Sequence, residues 1–92
     1  MVNKLDGADV LMISNKGHYG YIKINGSDDM GIEVCYLAIC KYAKDETIYL
    51  FLCDENMSVE NDCDFRSIDE AVDDAQRRTQ NPISWVYPNT AL

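Results

Sequence analysis

Up to residue 66 the apolar residues of this chain fall in short runs divided by polar punctuation, and each run has the length of a strand. Ala8–Ser14 (ADVLMIS) is the first such run, and Asn15-Lys16-Gly17 after it is a turn signal. Residues 18–24 (HYGYIKI) form a second run rich in Tyr and Ile. Asn25-Gly26, followed by Ser27-Asp28-Asp29, marks a loop; Asn-Gly accepts the positive φ angles of a tight hairpin turn. Residues 32–42 (IEVCYLAICKY) are the longest strand candidate. Ile32, Val34, Tyr36, Ala38 and Cys40 would line one face, and Glu33, Cys35, Leu37, Ile39 and Lys41 the other. Both faces are apolar in the middle, which predicts a central strand. After the polar break Lys44-Asp45-Glu46, residues 47–53 (TIYLFLC) are again apolar on both faces. Two such runs joined by a short polar link predict an antiparallel hairpin at the sheet centre. Residues 58–65 (SVENDCDF) alternate Val59, Cys63 and Phe65 with acids, and Asn61 interrupts the apolar side. That interruption predicts a bulge or a short edge strand, and carboxylates there guard the edge against pairing with other chains.

The period changes at Ser67. Ser67-Ile68-Asp69-Glu70 fits the S-x-x-E capping box, in which the Ser hydroxyl accepts a first-turn N–H and the Glu reaches back to the cap. Asp69 and Glu70 also suit the positive end of the helix dipole. Ile68, Ala71, Val72, Ala75 and Thr79 recur at helical spacing as one narrow apolar face. Asp73 with Arg77 and Asp74 with Arg78 are i,i+4 pairs in the favourable order. Asn81-Pro82 is the expected stop. Residues 83–87 (ISWVY) then read as a last strand or an apolar tail, with Trp85 covering sheet that the helix leaves bare.

The expected architecture is α+β: an antiparallel meander of four or five strands with one helix packed on a face, in a single domain over residues 1–92. Ninety-two residues leave no room for two cores. The 47% hydrophobic content, with six Tyr, two Phe and one Trp, argues against disorder. No apolar run approaches the roughly 20 residues that span a bilayer. MVNKLDGADV contains no leader-like apolar core, so the expected setting is cytoplasmic. Cys35, Cys40, Cys53 and Cys63 contain no CxxC pair and the one histidine, His18, is distant. Buried free thiols are therefore expected rather than a zinc site.

Charge changes the picture most. Asp54, Glu55, Glu60, Asp62, Asp64, Asp69, Glu70, Asp73 and Asp74 fall in one stretch whose single base is Arg66. The rest of the chain holds equal numbers of acids and bases, so the net charge of −8 lies almost wholly here. Such a field repels nucleic acid and anionic membrane and attracts a basic partner. Other chemistries fit less well. Asp54, Asn56 and Ser58 occupy the first, third and fifth places of an EF-hand loop. The sixth place holds Val59 where Gly is needed, and the twelfth holds Phe65 where a bidentate Glu is needed. Nucleophilic catalysis needs a base beside the nucleophile, and His18, the only histidine, lies at the edge of a turn, where a lone histidine is usually a surface residue. Tyr19, Tyr21 and Lys23 on one strand imitate a base-stacking platform, but the domain charge opposes nucleic acid. No phosphate-loop motif occurs. No catalytic residue, metal or cofactor is expected.

Residues 48–75 (IYLFLCDENMSVENDCDFRSIDEAVDDA) resemble a segment of small acidic bacterial proteins. In these an apolar strand runs into Cys-Asp-Glu, then a short strand, then a capped acidic helix. Several proteins of this style are immunity proteins, including those of contact-dependent growth inhibition systems. The resemblance implies tight binding to a cognate toxin, often a basic nuclease, which is neutralised in the producing cell. The charge argument alone supplies the expected contacts: Asp54, Glu55, Glu60, Asp62 and Asp64 first, with Asp69 and Asp73 behind them. The expectation is thus a non-enzymatic inhibitor that covers the toxin's active-site cleft. The alternative is a small regulatory or assembly subunit that forms homo-oligomers through a sheet edge.

Overall fold

The computed structural model describes residues 2–23 and 31–88. Its strands are β1 (Lys4–Leu5), β2 (Ala8–Ser14), β3 (Tyr21–Ile22), β4 (Ile32–Glu33), β5 (Tyr36–Lys41), β6 (Ile48–Cys53), β7 (Val59–Phe65) and β8 (Trp85–Val86), with one helix, α1 (Ile68–Arg77). The main sheet runs β1-β2-β5-β6-β7 with every pairing antiparallel, and β8 also pairs β2. β1 lies against Ala8 and Asp9 while β8 lies against Ile13 and Ser14, so these two short strands share one edge of β2. The sheet is therefore five positions wide, and it curls into a half-barrel. The α+β class, the antiparallel order and the central β5–β6 hairpin agree with expectation. The β3–β4 pair is a separate two-stranded insertion.

The departures have physical causes. The run 32–42 is two strands, because both Cys35 and Tyr36 lie opposite Cys53: Cys35 N–H donates to Cys53 O at 2.8 Å while Tyr36 is its register partner. That bulge reverses the alternation. Leu37 and Ile39 keep their shared face, but Val34 joins it instead of the Tyr36 face. Of the second run, the described residues 18–23 are a regular strand only at β3, although Tyr19 N–H to Val34 O and Val34 N–H to Gly20 O, each 2.8 Å, carry the pairing further back. The Asn25-Gly26 turn lies outside the described residues. An unexpected hairpin joins β1 to β2 through Asp6 and Gly7, at φ 48° and 82°. Asp-Gly with both φ positive is the favoured two-residue hairpin turn.

The helix begins as the sequence predicts. Glu70 N–H donates to Ser67 Oγ at 3.1 Å, but the return bond of Glu70 Oε1 goes to the N–H of Arg66, one residue before the cap, at 3.0 Å. It ends at Arg77 with Arg78 as cap, before Asn81-Pro82. Ala71 and Ala75 are wholly buried and Val72 packs beside them, whereas Ile68 is 41% exposed and falls off the apolar face. Two alanines let the helix sit close over Leu37 and Ile39 of β5 and Leu50 and Leu52 of β6. On the other face of the sheet a second cluster gathers Val10, Ile13, Ala38, Cys40, Phe51 and Cys53. Trp85 packs against the helix-side cluster, as expected. All four cysteines are free; Cys35, Cys40 and Cys53 are buried and Cys63 is half-buried. No helix among the described residues is long and apolar enough to cross a membrane.

Candidate functional site: an acidic sheet edge

β7 is one edge of the main sheet, with β1 and β8 at the other, and one hydrogen bond fixes which way its main chain points. Leu37 N–H donates to Ser14 Oγ in β2 at 2.9 Å, so the main chain of Leu37 faces β2. Alternation along antiparallel ladders then decides the rest. Ala38 and Cys40 turn toward β6, their partners Phe51 and Tyr49 turn back toward β5, and Leu50 turns toward β7. On β7, Asn61, Cys63 and Phe65 consequently bond inward, while Asp62 and Asp64 present N–H and C=O outward. The 3.0 Å bond from Asp54 N–H to Ser58 O has the same parity.

Side chains follow from the same register. Asp62 lies opposite Phe51 and Asp64 opposite Tyr49, on the sheet face away from the helix. Asp69 and Asp73 lie on the helix. The seven acids expected to act together are therefore divided by the sheet: Asp62 and Asp64 on one side of the edge, Asp69 and Asp73 on the other, with Asp54, Glu55 and Glu60 at the turn end. Asp73 is already paired with Arg77 at 2.7 Å, as Asp74 is with Arg78. Among the described residues Asp54, Glu55, Glu60, Asp62, Asp64 and Asp69 have no ion-pair partner.

The turn between β6 and β7 is built by Asp54. Its Oδ1 accepts from the N–H of Asn56 and of Ser58, both at 2.9 Å, and Met57 takes φ 66° to bring the chain back. The bonds from Ser58 and Asn56 hold the Asp54 carboxyl below its ordinary range. The carboxylate that would open a calcium loop is thus consumed in closing a hairpin. No cluster of three or more His, Cys, Asp or Glu suited to a metal is present among the described residues. Leu52 pairs with Asn61 and Cys53 with Val59, which leaves Glu60 as the extra residue of the expected bulge. Its carboxyl is held above the ordinary range, first by a hydrogen bond to Asp54, then by local loss of hydration and by the charge of Asp54.

No family, curated protein or solved structure matches this chain.

Two neighbours of the acidic edge escape a reading by runs. Glu33 of β4 joins Asp54 and Glu55 around a cleft of about 230 Å³. Glu46 joins Asp64, Glu70 and Arg66 around a groove of about 480 Å³ at the far end of β7. Neither lies in the acidic stretch, and only the hairpin pairings bring them there. Glu33 also ties His18, whose Nδ1 lies 2.7 Å from Glu33 Oε2, and Cys35 Sγ lies 3.8 Å from Glu33 Oε1. This row does not make a nucleophile. Burial first, then the charges of Glu33 and Glu55, push the Cys35 thiol up, away from the thiolate that reacts.

On the sheet face away from the helix, which also carries Asp62 and Asp64, an open groove of about 630 Å³ is bordered by Val2, Ile13, Tyr36, Met57 and Val86, with Lys16 on its rim.

Proposed function

We propose that this chain is a non-catalytic inhibitor, an immunity protein that binds a basic toxin of nuclease type and covers its active-site cleft. The observation that carries the reading is the set of carboxylates along and around β7 that have no cation partner among the described residues. A fold that neutralises Asp73 and Asp74 with its own arginines leaves Asp62 and Asp64 open on an exposed edge. A nuclease cleft is lined with bases that hold phosphates, and an acidic edge offers them the complementary charge. Complementarity of this kind raises association rates toward about 10⁸–10⁹ M⁻¹s⁻¹ at low salt. The test is affinity capture from the source cells at low salt, followed by a nuclease assay on what is captured. Recovery of a basic nuclease silenced by stoichiometric inhibitor supports the proposal; a captured nuclease that stays fully active refutes inhibition.

One observation favours self-association as a second reading. The groove beside Val86 is apolar, and Tyr87 next to it is 67% exposed. Salt separates the two readings, because charge pairing with a basic partner weakens as salt rises, whereas apolar association of an acidic chain strengthens.

A further inference from the structure

We propose that β7 receives an added β-strand from its partner, an extended basic segment that pairs with the outward main-chain groups of Asp62 and Asp64. The inference rests on the inhibitor reading and specifies its geometry. An edge strand offers a ready row of donors and acceptors, and recognition by strand addition uses them for affinity and the flanking side chains for specificity. β7 meets both conditions. Its outward residues are Asp62 and Asp64, and these same residues place carboxylates on the face away from the helix.

A strand added here sets the Cβ atoms of its alternate residues about 4.5–5.5 Å from those of Asp62 and Asp64. Those positions call for Lys or Arg. The intervening positions lie on the helix face beside Cys63 and Phe65, both half-buried, and call for apolar residues. The length is bounded at both ends. The bulge at Glu60 breaks the ladder below Asn61, and the chain turns into the helix at Ser67. Past Asp64 the groove containing Glu46, Glu70 and Arg66 can receive the segment's last side chain. A second copy of this chain is a poor occupant, because it would set Asp62 and Asp64 against their own kind, and like charges directly opposite destabilise a strand pair.

The edge carries a latch. Asn61 Oδ1 accepts the outward N–H of Asp62 at 2.9 Å. An incoming carbonyl must displace that side chain, whereas the N–H of Asp64 is open to it at once.

A synthetic peptide alternating lysine and valine, blocked at both ends, is the probe, titrated into ¹⁵N-labelled protein. Strand addition predicts slowed amide exchange and a downfield shift at Asp64, binding that weakens with salt, and no binding of the glutamate–valine counterpart. Asp64→Pro is the decisive variant. Its N–H takes no part in the ladder, and proline is tolerated at outward positions of edge strands. Against Asp64→Ala, which removes the same charge and keeps the N–H, Asp64→Pro should bind about tenfold more weakly. Asn61→Ala should bind several-fold more tightly than the native chain. Equal affinity of the Pro and Ala variants, or a bound state with no added protection at Asp64, overturns strand addition. If Asp62→Lys with Asp64→Lys still abolishes binding in that case, strand addition alone has failed and the charge-based inhibitor reading stands.

Discussion

Truncating Leu50 to alanine tests how the helix is held over the sheet, and so whether the edge beside it is built as described. Leu50 has no exposed surface, lies between Ile39 of β5 and Cys63 of β7, and belongs to the cluster that Ala71 and Ala75 close from above. Losing its branch forfeits about 0.8 kcal/mol for each buried methylene-sized group. The cavity left behind brings buried Leu→Ala changes to about 2–5 kcal/mol. The helix above reaches into the core with two alanines and no long fully buried side chain, so it can settle into part of the space. The expected loss is therefore in the lower half of that range, about 2–3 kcal/mol. In a domain of this size that lowers the melting temperature by roughly 10–20 °C. Ile68→Ala is the matched control: helical spacing places Ile68 on the buried face, but the structure leaves it 41% exposed. It should cost less than about 1 kcal/mol. Urea unfolding followed by Trp85 fluorescence reads both variants. Equal costs for Leu50→Ala and Ile68→Ala would show that the helix is rotated from the orientation described, and the argument from Ala71 and Ala75 would fall.

Three further outcomes follow from particular residues. Gly31 has φ +94°, and a Cβ there would drive into the carbonyl of Ile22; Gly31→Ala should destabilise by more than the roughly 1–2 kcal/mol of left-handed strain alone, and an unchanged urea midpoint would refute the β3–β4 geometry. Burial pushes the Cys40 and Cys53 thiols up to about 12, so iodoacetamide at pH 8 should label half-buried Cys63 first and reach these two only on unfolding; early labelling of either would contradict their placement. Glu60, with its carboxyl raised in the fold, favours folding while protonated and loses that contribution as pH rises through the folded value, whereas Asp54, lowered, contributes above the ordinary carboxylate range and loses it in acid. Glu60→Gln should therefore stabilise the protein more at pH 7 than at pH 3, and an equal effect at both would show that the two carboxyls do not interact.

Much of the fold is legible because it depends on local chemistry. Apolar runs on both faces located β5 and β6, the capping box located the start of α1, and Asn61 announced the bulge that falls at Glu60. The misses come from facts that periodicity does not carry. Asp6-Gly7 is a strong hairpin signal, but the strand before it has only two residues and shows no alternation to read. The break at Cys35 is invisible in composition, since a bulge is set by how Cys53 is shared between two residues across the sheet. The candidate site was half visible. Its acids could be counted along the chain, but their division across the sheet could not. Asp62 and Asp64 part from Asp69 and Asp73 because a strand alternates and a helix returns over only one face. Glu33 and Glu46 join the edge through hairpin pairings that no single run encodes.

On the proposed reading the acidic edge of β7 is the surface that meets a basic protein. Its most direct test is parallel low-salt capture from the source cells with the native chain and with Asp62→Lys/Asp64→Lys, quantified by mass spectrometry. Each reversal adds two charges, so the double variant moves the net charge from −8 to −4 while altering only exposed positions. One basic protein should be held in near-equal amount by the native chain and released by the variant. Recovery of the same protein in the same amount on both, or of the native chain only as its own oligomer, would contradict that reading.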